Sequence, residues 1–157
     1  MFNAFLKIDG VESEATQKGF EGQIALDSFN LGAANPVDVH TGGMGAGKVN
    51  LSNFNISKVT DSASPILFQA CCLGKHFPKA VVSICKAGGD QAVYLQYKFD
   101  TVFIANIDWT GGGGDERPTE TLSLAFHKVE MTYKKQSADG KLGSPVVASY
   151  DQQKATA

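Results

Sequence analysis

Gly42 to Lys48 reads G-G-M-G-A-G-K, in which four residues separate Gly42 from Gly47 and a lysine follows. That is the opening of a phosphate-binding P-loop, in which backbone amides cradle phosphates and the lysine reaches the terminal ones. The next position decides against it. A P-loop needs Ser or Thr after the lysine to help hold Mg²⁺, and Val49 has no oxygen to offer. The loop must also open into a helix whose N-terminus faces the phosphates. Here V-N-L-S-N-F-N-I-S follows, with Val49 and Leu51, then Phe54 and Ile56, alternating with polar residues. Such alternation is a strand signature, with a bulge expected near Ser52–Asn53.

Other reactive groups are as scattered. His40, His76 and His127 fall in loop, turn and strand, with no H-x-x-x-H and no carboxylate at metal spacing. His127 is in phase with Ser123, opposite Leu122, Leu124 and Phe126, and is expected to face solvent. Cys71, Cys72 and Cys85 lie in apolar runs, make no C-x-x-C, and read as ordinary buried thiols. Glu12, Glu14, Asp115 and Glu116 sit in expected loops as solvated charge. No G-x-S-x-G is present, and Trp109 reads as a core or interface residue. No catalytic constellation, metal site or cofactor is expected.

The elements that must position these residues are mostly strands. Phe2–Asp9, Gly22–Asn30, Ala80–Ala87, Ala92–Asp108 and Thr121–Lys134 alternate or carry short apolar runs between turn signals. In the last of them the inward phase shifts by one residue near His127–Lys128. One helix is signalled by D-S-A-S-P-I-L-F-Q-A-C-C-L-G, with Ser64 as N-cap, Pro65 at the first helical position and Gly74 as C-terminal stop. It is apolar almost all round, so it must be covered on more than one side. Ile66, Ala70 and Leu73 are expected to face its own domain. The segment from Gln136, with Gly140, Gly143 and Pro145, reads as loop before a polar tail from about 151. The expected fold is mainly β: a small β-barrel of two packed antiparallel sheets, one flanking helix over about 65–73, and a long Gly-rich loop over about 32–48.

Composition bounds the function. At 157 residues the chain reads as one domain over 1–157, and 43% hydrophobic against 19% charged residues marks it as globular. A net charge of −2 supplies no electrostatic reason for nucleic acid as a partner. No apolar run approaches the roughly 18 residues needed to span a bilayer. The N-terminus M-F-N-A-F-L-K-I-D-G lacks the basic and apolar regions of a signal peptide, so a cytosolic start is expected.

A set of ordered motifs adds to this. These are A-F-L-K-I-D-G-V-E-S-E (Ala4 to Glu14), S-F-N-L-G (Ser28 to Gly32), G-K-V-N-L-S-N-F-N-I-S-K (Gly47 to Lys58) and D-S-A-S-P-I-L (Asp61 to Leu67). They continue with A-G-G (Ala87 to Gly89), L-S-L-A-F-H-K-V-E (Leu122 to Glu130) and Y-K-K-Q-x-x-x-G (Tyr133 to Gly140). In that order they resemble the haemolysin-coregulated protein (Hcp) family, the tube subunit of the bacterial type VI secretion system. The stretch N-I-D-W-T, Asn106 to Thr110, is bulkier than the Ser-rich segment of many members.

The resemblance implies a structural, non-enzymatic subunit that forms hexameric rings, stacks them into a hollow tube and carries effectors in its lumen. It implies spike, sheath and effector proteins as partners, and export by that machine without a cleaved signal peptide. In a ring subunit, Gly42, Gly43, Met44, Gly45, Gly47 and Lys48 are expected to reach an adjacent ring or protomer, since glycines permit close backbone approach. Phe68 or Cys72 is expected to cover a contact within the ring. The alternative is a monomeric small-ligand-binding barrel, with Tyr94, Tyr97 and Phe99 lining its interior.

Overall fold

The computed structural model describes residues 1–37, 39–40, 48–88 and 90–157. Strand β1 (Phe2–Ile8) pairs antiparallel with β2 (Ile24–Leu26) on one side. Further on come β3 (Ser28–Asn30), a short ribbon of β4 (Ala33–Ala34) with β5 (Asn50–Leu51), and β6 (Phe54–Val59). Helix α1 (Ser64–Leu73) follows, then β7 (His76–Lys86), β8 (Val93–Thr110), β9 (Thr119–Gln136) and β10 (Leu142–Asp151).

The main sheet has eight strands, ordered β2-β1-β7-β8-β9-β6-β3, with β10 also on β9. Its two ends are one segment of chain. Only Asp27 separates β2, paired with β1, from β3, paired with β6, and its amide donates to Ser57 O at 2.8 Å. The sheet therefore nearly closes into the expected barrel, and closure is what removes most of its exposed edges. Its layers are hydrogen-bonded through one continuous sheet.

Alternation fills the interior. Ala4, Leu6 and Ile8 on β1, Phe54 and Ile56 on β6, and Leu122, Leu124 and Phe126 on β9 are all buried. Phe99 centres an aromatic core, 5.0 Å from the Phe54 ring and 4.8 Å from Phe126. Burying a side chain of that size contributes roughly 1.5–3 kcal/mol. On the opposite face of β1, Phe5 stacks on Phe20 at 4.4 Å and, with Cys85, forms a second small core.

The inward phase shifts between Phe126 and Val129, as the sequence predicts, and on β8 between Phe99 and Val102. Thr101 lies between the latter two with φ 52°, a left-handed conformation that costs a non-glycine residue energy. Ala105 is an extra residue between Ile104, opposite Leu124, and Asn106, opposite Ser123. That bulge restores the inward phase for Ile107 and Trp109, and N-I-D-W-T is strand to Thr110.

Three expectations need correction. Ser64 is the first helical residue and not the cap. Ala63 precedes it in a helical conformation, its amide donating to Asp61 Oδ1 at 3.0 Å, while the Ser64 hydroxyl is held elsewhere. The segment after Gln136 is not all loop: β10 pairs with β9 from Leu142, and its irregularity between Leu142 and Pro145 absorbs Gly143 and the proline. An edge strand tolerates both. Cys71 is half-buried and Cys72 exposed, so only Cys85 fits the expectation of buried thiols.

Candidate functional site

α1 lies against β8 and turns only part of its surface to the barrel. Ser64, Leu67 and Ala70 are buried, whereas Ile66 is 42%, Phe68 49% and Leu73 72% exposed. The expectation for Ile66 and Leu73 is thus overturned: Leu67, not they, joins Ala70 on the barrel. Phe68 and Cys72 are both exposed. The helix stops at Gly74, whose φ of 65° is left-handed and whose amide returns to Ala70 and Cys71.

Beside the helix, the Phe68 ring meets Trp109 edge-on, with centroids 5.7 Å apart. Trp109 is 41% exposed, yet its indole nitrogen is tied down, donating to Glu120 Oε2 at 2.9 Å. Glu120 is wholly buried, and so is Lys58. Lys58, Glu120 and Trp109 are direct cross-strand partners, one row across β6, β9 and β8.

The Lys58 ammonium donates to Asp61 Oδ1 at 2.9 Å, Ser64 Oγ at 3.1 Å and Val59 O at 3.2 Å. Those take its three protons, and Glu120 Oε1 lies 3.1 Å away as a charge partner without a hydrogen bond. The Ser64 hydroxyl in turn donates to Glu120 Oε2 at 2.5 Å. Two carboxylates thus surround one ammonium. The excess negative charge sits where donors gather: Trp109, Ser64 and the helix start, whose dipole favours an anion. The cluster binds α1 to the end of the barrel, and Asp61 at its edge also lines an open groove with Glu14, Val59 and Arg117.

Sequence reading missed this cluster, although a signal for it existed. Lys58 is in phase with Phe54 and Ile56, and Glu120 with Leu122, Leu124 and Phe126. A charged residue at each end of two inward-facing rows is the mark of a buried pair.

Beyond the phase shift, β8, β9 and β10 continue as an arm. Leu95, Tyr97, Met131, Tyr133, Val146 and Ala148 share one face of it, on which Leu95 and Tyr97 still pack against the core. Met131 is 45%, Tyr133 47% and Val146 71% exposed. At its root an open groove of about 210 Å³ is lined by Leu31, Tyr97, Met131 and Tyr150 among others. Of the proposed ligand-barrel residues, Phe99 is part of the packed core, Tyr97 is half-buried against Phe29, Phe54 and Phe99, and Tyr94 is half-buried beside Tyr133; burial raises both phenols.

Gly42, Gly43, Met44, Gly45 and Gly47 lie outside the described residues; Lys48 is exposed, just ahead of β5. His76 and His127 both pack against Phe103, at 5.6 and 6.0 Å, and His127 is half-buried there. Among the described residues no three His, Cys, Asp or Glu side chains are grouped as metal ligands, and no helix is long and apolar enough to cross a membrane.

The family model described as "Type VI secretion system effector, Hcp" matches residues 5–133. The chain belongs to the Hcp family. Protein hcp1 of Pseudomonas aeruginosa is 41% identical over 101 residues, 63% of this chain and 62% of that relative. The match thus spans less than two thirds of the curated relative. Among solved structures, that of a type six secretion system protein superposes with a TM-score of 0.95 at 29% identity, over 99% of both chains. Hcp1 from Salmonella typhimurium does so at 0.82 and 29%, covering 99% of this chain and 97% of its own. The match to the Hcp family takes in both the buried row and the start of the arm.

Proposed function

We propose that this Hcp-family chain is one structural domain that forms hexameric rings, and that the rings stack into the inner tube of a type VI secretion system. On this reading the chain has no catalytic role and no cofactor, and is exported by the machine it helps to build, from the cytoplasm and without a cleaved signal peptide. Its partners are copies of itself, then sheath, spike and the effectors carried in the lumen; nucleic acid and membrane are not among them.

One observation supports self-association most. Phe68 and Trp109, in ring contact, and Met131, Tyr133 and Val146 on the arm's apolar face, are all at least 41% exposed. Large apolar patches of this kind mark association surfaces in soluble proteins. The helix face with Phe68 and Cys72 fits a contact within a ring, and on this proposal Gly42, Gly43, Met44, Gly45, Gly47 and Lys48 serve to contact an adjacent ring or protomer. The ligand-barrel reading loses support because Phe54, Phe99 and Phe126 fill the interior.

Light scattering on the purified chain, with negative-stain images of the same peak, tests the proposal. Six-subunit rings with a central hole are expected; a monomer at all micromolar concentrations would remove the case for a tube.

A further inference from the structure

We infer that Glu120 is a positioning residue for the exposed Phe68–Trp109 surface. Buried and paired with Lys58, it sets from beneath the geometry with which that surface meets a second copy. The second copy as occupant rests on the ring reading above; the anchoring itself does not.

Trp109 is held at two points. Phe68 of α1 packs on its ring, and Glu120 Oε2 accepts its indole proton at 2.9 Å. The same oxygen accepts from Ser64 in the first turn of α1, so one carboxylate atom fixes both halves of the aromatic pair. The other oxygen faces the Lys58 ammonium at 3.1 Å, which keeps the carboxylate in place. Lys58 also holds Asp61, whose carboxylate accepts from the Ala63 amide at the helix entry. A tryptophan so constrained keeps a fixed pose while nearly half exposed, and an aromatic surface ordered in advance loses little entropy on association. Had packing alone been needed here, apolar side chains in place of Lys58 and Glu120 would have served at least as well.

This property makes the test clean. Trp109 is the chain's one tryptophan, so intrinsic fluorescence reports on it alone. Glu120→Leu leaves Lys58 paired with Asp61 and bonded to Ser64 and Val59 O, so it strands no charge. The decisive variant is therefore Glu120→Leu, which removes the shared acceptor of Trp109 and Ser64 and keeps the Lys58–Asp61 pair. Glu120→Gln serves as the conservative control, retaining an acceptor for the indole.

The Glu120→Leu variant should keep its circular dichroism and cooperative unfolding while Trp109 becomes more accessible to acrylamide and shifts its emission. Its assembly should weaken about tenfold or more, the scale of one lost anchor contact. Glu120→Gln should hold fluorescence near wild type and recover most of the assembly. A folded Glu120→Leu variant with wild-type quenching overturns the anchor. Altered quenching with wild-type assembly overturns its role in association. Should the wild-type chain prove monomeric, the ring reading fails, and the unchanged or altered quenching of the monomer still decides the anchor.

Discussion

The two halves of β9 follow opposite rules. From Glu120 to Phe126 every second residue is at most 5% exposed, with β6 and β8 as neighbours. From Met131 the same inward phase carries Met131 and Tyr133 at 45 and 47% exposure, with β10 where β6 had been. Strand chemistry does not differ much between the halves; what covers them does. The first half is a finished core, sealed even at its charged end. The second is an apolar sheet face whose cover, on our reading, is another chain.

The sealed end gives the largest expected effect. Lys58→Met leaves the Glu120 and Asp61 carboxylates buried or nearly so without their cation. Removing one partner of such a pair costs about 3–5 kcal/mol, and urea unfolding should show a loss of that size. An unchanged midpoint would mean that the row is hydrated and not sealed.

The contrast between halves is sharpened by truncating equivalent positions. Leu124→Ala, within the filled barrel, should destabilise by about 2–5 kcal/mol. Met131→Ala, one of the exposed positions on the arm, should cost less than about 1 kcal/mol in the monomer. Equal losses would break the comparison, because the arm would then be as packed as the barrel.

The barrel was legible in the sequence because its inward positions alternate on either side of each phase shift, and because Gly74 and Pro65 bracket a helix. The helix's orientation was not. A segment apolar on every side offers no face to choose, so Ile66 and Leu73 competed evenly with Leu67 until the position of β8 decided. β10 was hidden by Gly140, Gly143 and Pro145, turn formers that an edge strand tolerates at a bulge. Ser64 has the chemistry of a cap, but its hydroxyl is drawn to Glu120, 56 residues away, and no local pattern carries that information. The buried row itself was there to be read from Lys58 and Glu120 in apolar phase.

A pH titration separates the halves in another way. Burial raises the Cys85 thiol and the Tyr97 phenol; for Tyr94, burial comes first, then its neighbours Cys85 and Tyr133. The unfolded chain therefore ionises these groups first. Their contribution to stability is complete below the ordinary thiol and phenol values, about 8.5 and 10, and is lost as pH rises through the higher folded values. Unfolding midpoints should fall on this alkaline limb, and Tyr94→Phe with Tyr97→Phe should flatten it. A limb unchanged in that variant would place the sensitive groups elsewhere than on β8.

The smallest expected effect on stability is the most informative about assembly. Val146 is 71% exposed and stands opposite Tyr133 on the arm's apolar face. Exchanging it for Asp removes one cross-strand contact, a loss of about 0.2–1 kcal/mol, so the monomer should unfold almost as before. If a second copy covers this face, however, the carboxylate enters the contact without a partner, where an unpaired charge is far more costly than in water. Val146→Asp should then abolish or sharply weaken rings at concentrations where the wild type is assembled. Lys98→Ala, on the arm's opposite and charged face, should leave assembly intact if only the apolar face is covered. Should both variants assemble like wild type, the uncovered half of β9 would have to find its cover inside the subunit, and the Phe68–Trp109 side would be left as the principal contact.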